Sequence, residues 1–439
     1  MRITKRAVAM TLAAGLTAPA AQAANWLQIQ GTEAPGATDR LKLWGFIQPQ
    51  YTETGGSDLD AGPWNGQKAV FNQIGPDLDS DSSFQIRRAR IGARGTNFPL
   101  DGKTNYFLLL EAGNNGITKY GNGSVALTDA SVTFNQIPYA RVRVGQFKYP
   151  GAEEGLQAIH VFDYIEFTNV TNNLLLERFF DGDGSNTQDS NSPNGSVGAF
   201  RDIGVQVFDW FNTGSWQHTY AAMVGDGNGL NRTDDNGNKD IYLYWSSEQI
   251  YGGQGARREG WKMFAWGQTG QRTLEFVNGV QDTRSYDRDR WGLGTTFRKG
   301  KYRAAAEYIY ADGMIFNGTD GGAVPGTRNN ADTATASWNI EPNGEADGWY
   351  IDLGYRVLPK WELDVRYDYL DRMKNVGANE REFTTWTLGA QYFINKKTRA
   401  LLNYQFRDAD APDFSSSATP NQILDNLDNR VGVQVLAIF

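Results

Sequence analysis

The chain contains no cysteine. That excludes a disulfide framework, a thiolate metal site and a cysteine nucleophile. Histidine is almost as scarce: only His160 and His218 occur, far apart. A histidine-rich metal site is excluded, and histidine-based catalysis has little to work with. Beyond residue 23 no stretch reaches the ~18 apolar residues of a membrane helix. HExxH, GxSxG and phosphate-cradling Gly-Lys-Ser/Thr patterns are all missing. Basic runs are missing too. Arg257 and Arg258 are followed at once by Glu259, and Arg284 to Arg290 mixes bases with acids. Both fit exposed loops, so no nucleic-acid partner is expected. Proline is sparse, 14 in 439 residues, so extended segments are seldom interrupted.

What is present begins with Arg2, Lys5 and Arg6, the small and apolar stretch Ala7 to Ala18, and Ala21-Gln22-Ala23. This is the layout of a secretory signal peptide over 1–23. The other reading, a transmembrane anchor, needs a longer and less Ala-rich stretch. Removing those three of the 42 basic residues leaves 39 against 50 acidic, a net of −11. Aromatics make up 13% of the chain and there are 50 glycines. Membrane barrels have this character, because strands that alternate apolar and polar residues average to a polar hydropathy. A large secreted β protein would share much of it.

Clusters of Gly, Asn and Asp separate sixteen runs of period-two character, from 41–50 to 429–439. The connections alternate in length. Those at 51–83, 113–125, 150–200, 226–239, 270–287, 312–346 and 408–428 are long, and 371–381 is medium. Between them lie short links, of which only 249–259 is intermediate. An even strand count with alternating long and short links predicts an all-β transmembrane antiparallel barrel of 16 strands over 41–439, behind a periplasmic segment at 24–40. A β-sandwich has no reason to keep that alternation, and a propeller should show a four-strand repeat.

The faces of the strands agree. In 360–370, Trp361, Leu363, Val365, Tyr367 and Tyr369 oppose Glu362, Asp364, Arg366 and Asp368. In 301–311, Tyr302, Ala304, Ala306, Tyr308 and Tyr310 oppose Arg303 and Glu307. In 398–407, Ala400, Leu402, Tyr404 and Phe406 oppose Arg399, Asn403 and Arg407. One face suits lipid and has aromatics near its ends; the other suits a wet lumen. Strands 216–225 and 240–248 are poorly phased, which suggests a subunit contact or a wrong register. The last strand ends on Phe439, placed at the periplasmic rim as an assembly signal read by the barrel assembly machinery.

The connection 150–200 is too apolar at its start to float in water, so it is expected to fold back and narrow the barrel. The bland alternative is a plug without a selectivity role. The same region carries ordered motifs: Arg87-Arg-Ala-Arg-Ile-Gly-Ala-Arg-Gly, Thr128-Asp-Ala-Ser-Val, Arg141-Val-Arg-Val-Gly-Gln-Phe-Lys-Tyr-Pro-Gly with Glu153 and Glu154, and Leu176-Glu-Arg-Phe. Over about 84–180 the chain resembles the phosphate-selective porin O and P family. The resemblance implies a sixteen-stranded homotrimer in the bacterial outer membrane, an infolded third extracellular loop, and arginines lining the pore. Alternation puts Arg88, Arg90 and Arg94 on one face and Arg141 and Arg143 on another; Arg303, Arg366 and Arg399 join them as expected pore-lining residues. Guanidinium groups there would draw anions. The competing reading has them pair with Glu111 and the loop carboxylates and hold the constriction in place. The loop departs from an anion-selective pattern: Glu153, Glu154, Asp163, Glu166 and Glu177, with His160 among them, face only Arg178 as a nearby base. A ring of acids would favour cations.

Asp181, Asp183 and Asp189 fall at spacings reminiscent of a calcium loop. The Gly and bidentate Glu of such loops are missing, and no cofactor is expected. The reading is thus a porin for passive diffusion of small hydrophilic solutes and ions, set among lipid and lipopolysaccharide. Its alternatives are a channel selective for phosphate, polyphosphate or another anion, an outer-membrane enzyme such as a phospholipase built on His160 or His218, and a structural barrel.

Overall fold

A computed structural model describes residues 26–439, except 35, 70, 72–81, 119–124, 177–197, 235, 254, 278–279, 319–321, 323–327 and 335–338. The expected signal peptide, Glu177, Arg178 and the three calcium-loop aspartates lie outside the described residues.

The strands are β1 (Lys42–Thr54), β2 (Ser82–Asn97), β3 (Asp101–Glu111), β4 (Ala126–Phe134), β5 (Arg141–Lys148), β6 (Arg201–Thr213), β7 (Trp216–Gly225), β8 (Asp240–Gly252) and β9 (Glu259–Val277). They continue with β10 (Val280–Lys299), β11 (Tyr302–Asp312), β12 (Ile315–Gly318), β13 (Asn339–Glu341), β14 (Glu345–Leu358), β15 (Trp361–Arg372), β16 (Arg381–Phe393), β17 (Thr398–Asp410) and β18 (Arg430–Ile438). All but β12 and β13 form one closed antiparallel barrel of 16 strands; β12 and β13 pair in the connection between β11 and β14.

The barrel closes where β1 meets β18. Closure leaves no open sheet edge, and the seam is polar on the inside. Gln48 donates to Gln434 at 2.9 Å, and Gln434 donates to Gln50 at 2.8 Å. The Phe439 amide donates to the Gly45 carbonyl at 2.9 Å. A Cβ at position 45 would meet the Phe439 ring, so glycine is what allows this approach.

Alternation sets the faces. On β14 and β15, Ile351, Leu353 and Leu363 are exposed, while Asp352, Glu362, Asp364 and Arg366 are buried. In a closed barrel the exposed apolar face meets lipid and the buried charged face lines the interior. Aromatic pairs band both ends of the lipid face: Tyr302 with Tyr355 and Trp361 with Tyr392 at one, Trp291 with Tyr310 and Tyr367 with Trp386 at the other.

Three expectations need correction. First, β7 and β8 alternate regularly: Val224, Ile241, Leu243 and Trp245 are exposed, and Ala221, Met223, Tyr242 and Tyr244 are buried. Their inner face is apolar because it belongs to one core cluster with Leu174, Leu175 and Leu176 of the long connection. Second, 270–287 is not a loop. β9 and β10 pair almost to the tip, with Gln271 donating to Asp287 at 2.8 Å and Thr273 beside Ser285 at 2.9 Å. A ribbon polar on both faces carries no period-two signal. Third, β8 extends to Gly252, so the link at 249–259 shortens and the alternation of loop lengths holds there too.

Of the segment at 24–40, expected in the periplasm, residues 26–33 reach into the barrel, while 36 and 38–40 are exposed. Its described part includes α1 (Trp26–Ile29), which lies against the inner wall. Arg143 donates to the Leu27 carbonyl at 2.8 Å, Arg94 to the Ile29 carbonyl at 3.0 Å, and Trp26 to Glu153 at 2.9 Å.

Candidate functional site

The connection after β5 supplies the centre of the site. Residues 149–176, including α2 (Glu153–Leu156) and α3 (Asn169–Leu174), contact side chains of the inner wall around much of the barrel. Thr168 caps α3, accepting from the Thr171 amide. The segment is anchored by its own acids. The Glu153 carboxylate accepts from Lys262 at 2.5 Å. Glu154 accepts from Arg366 at 3.1 Å and from the Thr168 hydroxyl at 2.7 Å. Tyr164 donates to Asp352 at 2.6 Å, and the Ile165 and Asn169 amides donate to Asn403 and Asp368.

Asp163 is the most densely paired group. Arg257 approaches it at 2.6 Å, Arg303 at 3.2 Å, Arg298 at 3.3 Å and Arg399 at 3.4 Å. Burial pushes its carboxyl up, but these four guanidinium groups more than offset that and hold it well below the usual range. Glu166 is likewise raised by burial and brought below its usual value by Arg87, Arg430 and Arg88 and by the Gln50 amide. His160 shifts the other way: burial, then Arg399, Lys148 and Arg90, lower it to about 3.

All eight arginines expected to line the pore have side chains on the inner wall, and six of them are paired with carboxylates. Arg90 meets Glu111 at 2.8 Å, Arg94 meets Glu33 at 2.5 Å and Arg141 meets Asp209 at 3.1 Å. Arg303 contacts Asp163, Asp352, Glu362 and Asp364; Arg366 and Arg399 hold the segment. Two differ. Arg88 donates to Gln48 at 3.1 Å, and Arg143 donates to backbone and hydroxyl oxygens and faces the Phe208 ring at 4.5 Å. Among the described residues neither has a carboxylate partner. Lys148 is a third such cation, donating to the Gln157 carbonyl at 2.6 Å.

Arg87, Lys148, Arg257 and Arg298 are inner-wall residues that the sequence reading misses. Alternation places Arg87 on the lipid face, but a β-bulge intervenes. Gln48 pairs with Arg88 and Pro49 with Ile86, which leaves Arg87 unmatched and turned inward beside Arg88. Its guanidinium nitrogens make no hydrogen bond; the nearest carboxylate is Glu166 at 3.7 Å. Pro49 on β1 is the available signal, since proline cannot donate to a ladder. Arg257 and Arg298 reach the interior from the rim at the β8–β9 and β10–β11 turns.

His218 lies on the other side of the wall. Its Nδ1 is 2.9 Å from the Ser247 Oγ, and its ring packs between Phe211 and Trp245.

Solved structures share the fold. The outer membrane channel DcaP of Acinetobacter baumannii is 15% identical with a TM-score of 0.51, over 93% of this chain and 99% of that one. The anion-selective porin from Comamonas acidovorans is 14% identical at 0.50, over 91% and 99%. OmpT of Vibrio cholerae in its trimer form is 13% identical at 0.50, over 91% and 99%. No curated protein matches. The sequence profile of the phosphate-selective porin O and P family matches residues 67–413, and the chain belongs to that family of bacterial outer-membrane channels.

Proposed function

We propose that the protein is a passive channel whose lumen is narrowed by residues 150–176 and prefers anions. One observation carries the preference. Of the acids read from sequence as a cation-selecting ring, the described ones, Glu153, Glu154, Asp163 and Glu166, each lie against a base, whereas Arg88, Arg143 and Lys148 have no carboxylate partner among the described residues. Positive charge without a paired carboxylate, buried just behind a confined pore wall, raises the local anion concentration. The arginine-pairing reading and the anion reading therefore both apply, to different arginines. Replacing Arg88 and Lys148 with Gln should lower the chloride-to-potassium permeability ratio about threefold or more, read from reversal potentials in planar bilayers. An unchanged ratio would count against the proposal.

Acid should loosen the segment late. A carboxylate whose folded pKa is lowered contributes stability above its unfolded value, and that stability is lost as pH falls through the folded one. Asp163 therefore stays charged at pH values near 4, where a free Asp is half protonated. His160 opposes this: below about 6.5 the unfolded chain takes up a proton that the folded chain refuses down to about 3, so its share of stability falls over that interval. Single-channel conductance should hold from pH 7 to about 4 and change only below; a change centred near 6 would show that Asp163 does not set the acid limit of the segment.

The pairing of His218 with Ser247 is the arrangement a lipid-facing hydrolase needs, so it merits its own test. The ring sits in an aromatic belt, and no described carboxylate orients its other nitrogen as a nucleophile–base pair requires. We read it as packing, and the protein as a channel without hydrolytic activity. His218→Ala should leave conductance and phospholipid content unchanged; loss of a measurable phospholipase activity would reverse the reading. The trimer form of the Vibrio cholerae relative supports a homotrimer here. Lipopolysaccharide on the outer rim and recognition of Phe439 by the assembly machinery complete the proposal.

A further inference from the structure

A cavity of about 180 Å³ opens between α1, residues 158–160 and the wall formed by β1–β5. Its body is aromatic. Trp44 lies 6.0 Å from Phe107 and 6.3 Å from Phe46, centroid to centroid, and His160 closes the far side at 5.7 Å from Trp44 and 5.2 Å from Phe46. An apolar cavity of roughly 150 Å³ is enough to admit benzene. Its rim carries both signs: Asp129, held by Arg201 at 2.9 Å, lines it with Arg90, Arg94 and Lys148. The Arg90 guanidinium lies over Phe46 at 5.8 Å and is neutralised by Glu111. The buried Lys148 ammonium also lines the cavity, with one hydrogen bond to a backbone carbonyl and no carboxylate partner among the described residues.

An ammonium whose one acceptor is a neutral carbonyl, set beside an aromatic slot, defines the chemistry that would satisfy it. What fits is a flat apolar ring bearing an anionic group that accepts hydrogen bonds. Phosphate satisfies the charge but leaves the rings unoccupied; a short aliphatic acid does the same.

We propose that this cavity is a binding subsite for aromatic carboxylates entering the channel. The inference rests on the anion-conducting reading of the lumen and adds a solute class to it. A ring held against aromatic side chains gains stacking, each pair contributing about 0.5–1.5 kcal/mol beyond burial, while the carboxylate meets the Lys148 ammonium. Occupancy would slow chloride without sealing the pore.

The test uses the full-length protein in planar bilayers carrying chloride current, with benzoate, acetate, cyclohexanecarboxylate and inorganic phosphate added in turn. Benzoate should reduce the current at a half-maximal concentration at least about tenfold below the other three, a difference equivalent to roughly 1.4 kcal/mol. Lys148→Met should raise the benzoate value about tenfold. Phe46→Leu removes one of the lining rings, so it serves where Lys148→Met does not assemble, and should raise the value severalfold. Equal block by phosphate and benzoate, or by cyclohexanecarboxylate and benzoate, overturns the subsite while leaving the channel reading intact. A protein that inserts and passes no chloride overturns both.

Discussion

Asp163→Asn should open the pore. The substitution removes the one charge that four guanidinium groups share: Arg257, Arg298, Arg303 and Arg399. Breaking a buried ion pair on one side costs about 3–5 kcal/mol, because the partner is left charged and uncompensated. Arg303 keeps Asp352, Glu362 and Asp364, so it stays in place. The other three lose their common acceptor, and the segment loses its clamp near residue 163. The barrel strands do not depend on that clamp, since their ladders close independently of it. The expected result is a folded, heat-modifiable barrel whose single-channel conductance rises about twofold, with a higher chloride preference because an acid is gone and its arginines remain. Unchanged conductance in a correctly assembled variant would mean that the segment does not limit the flow.

Leu353→Arg should remove most of the assembled protein. Leu353 projects from the middle of β14, 49% exposed in the isolated chain, and its face is the lipid face. A guanidinium at the bilayer midplane costs about 2–4 kcal/mol on an outer-membrane barrel. The neighbouring position provides the control. Asp352 faces inward and accepts from Tyr164 and Arg303, so Asp352→Asn keeps the polarity of its face and should assemble normally while weakening the hold on the segment. Heat-modifiable barrel in outer-membrane fractions measures both. Equal assembly of the two variants would contradict the assignment of faces.

The barrel was legible because lipid imposes a strict period of two wherever one face is wet. Strands such as β14, β15 and β17 therefore declared their faces residue by residue. The pattern failed where the physics differed. On β7 and β8 part of the inner face is apolar as well as the lipid face, with Ala221, Met223, Tyr242 and Tyr244 in one cluster with Leu174 to Leu176. Beyond Gly270 on β9 and Arg288 on β10, the paired residues Gln271, Thr273, Ser285 and Asp287 are polar, so pairing looked like loop. Arg87 was hidden by a one-residue bulge, which turns Arg87 itself inward and leaves the phase of Arg88, Arg90 and Arg94 as alternation gives it. Pairing was the least legible feature. Alternation identified the inward arginines, but nothing in the spacing could tell that Arg257, 94 residues after Asp163 in the chain, would neutralise that acid from the wall. These acids and bases are brought together by closure of the barrel, and one-dimensional counts of charge along the loop cannot show that pairing. The lead-in before β1 was misplaced for a similar reason. Leu27 and Trp26 are bound by Arg143 and Glu153 from distant elements, and a short helix of four residues has no periodicity to detect.

The most direct test of the account is the zero-current potential of the wild-type channel across a tenfold gradient of potassium chloride. Charge-matched acids on residues 150–176 and unmatched Arg88, Arg143 and Lys148 predict a potential of the sign set by chloride. A potential of the sign set by potassium would contradict the assignment of free charge in the lumen.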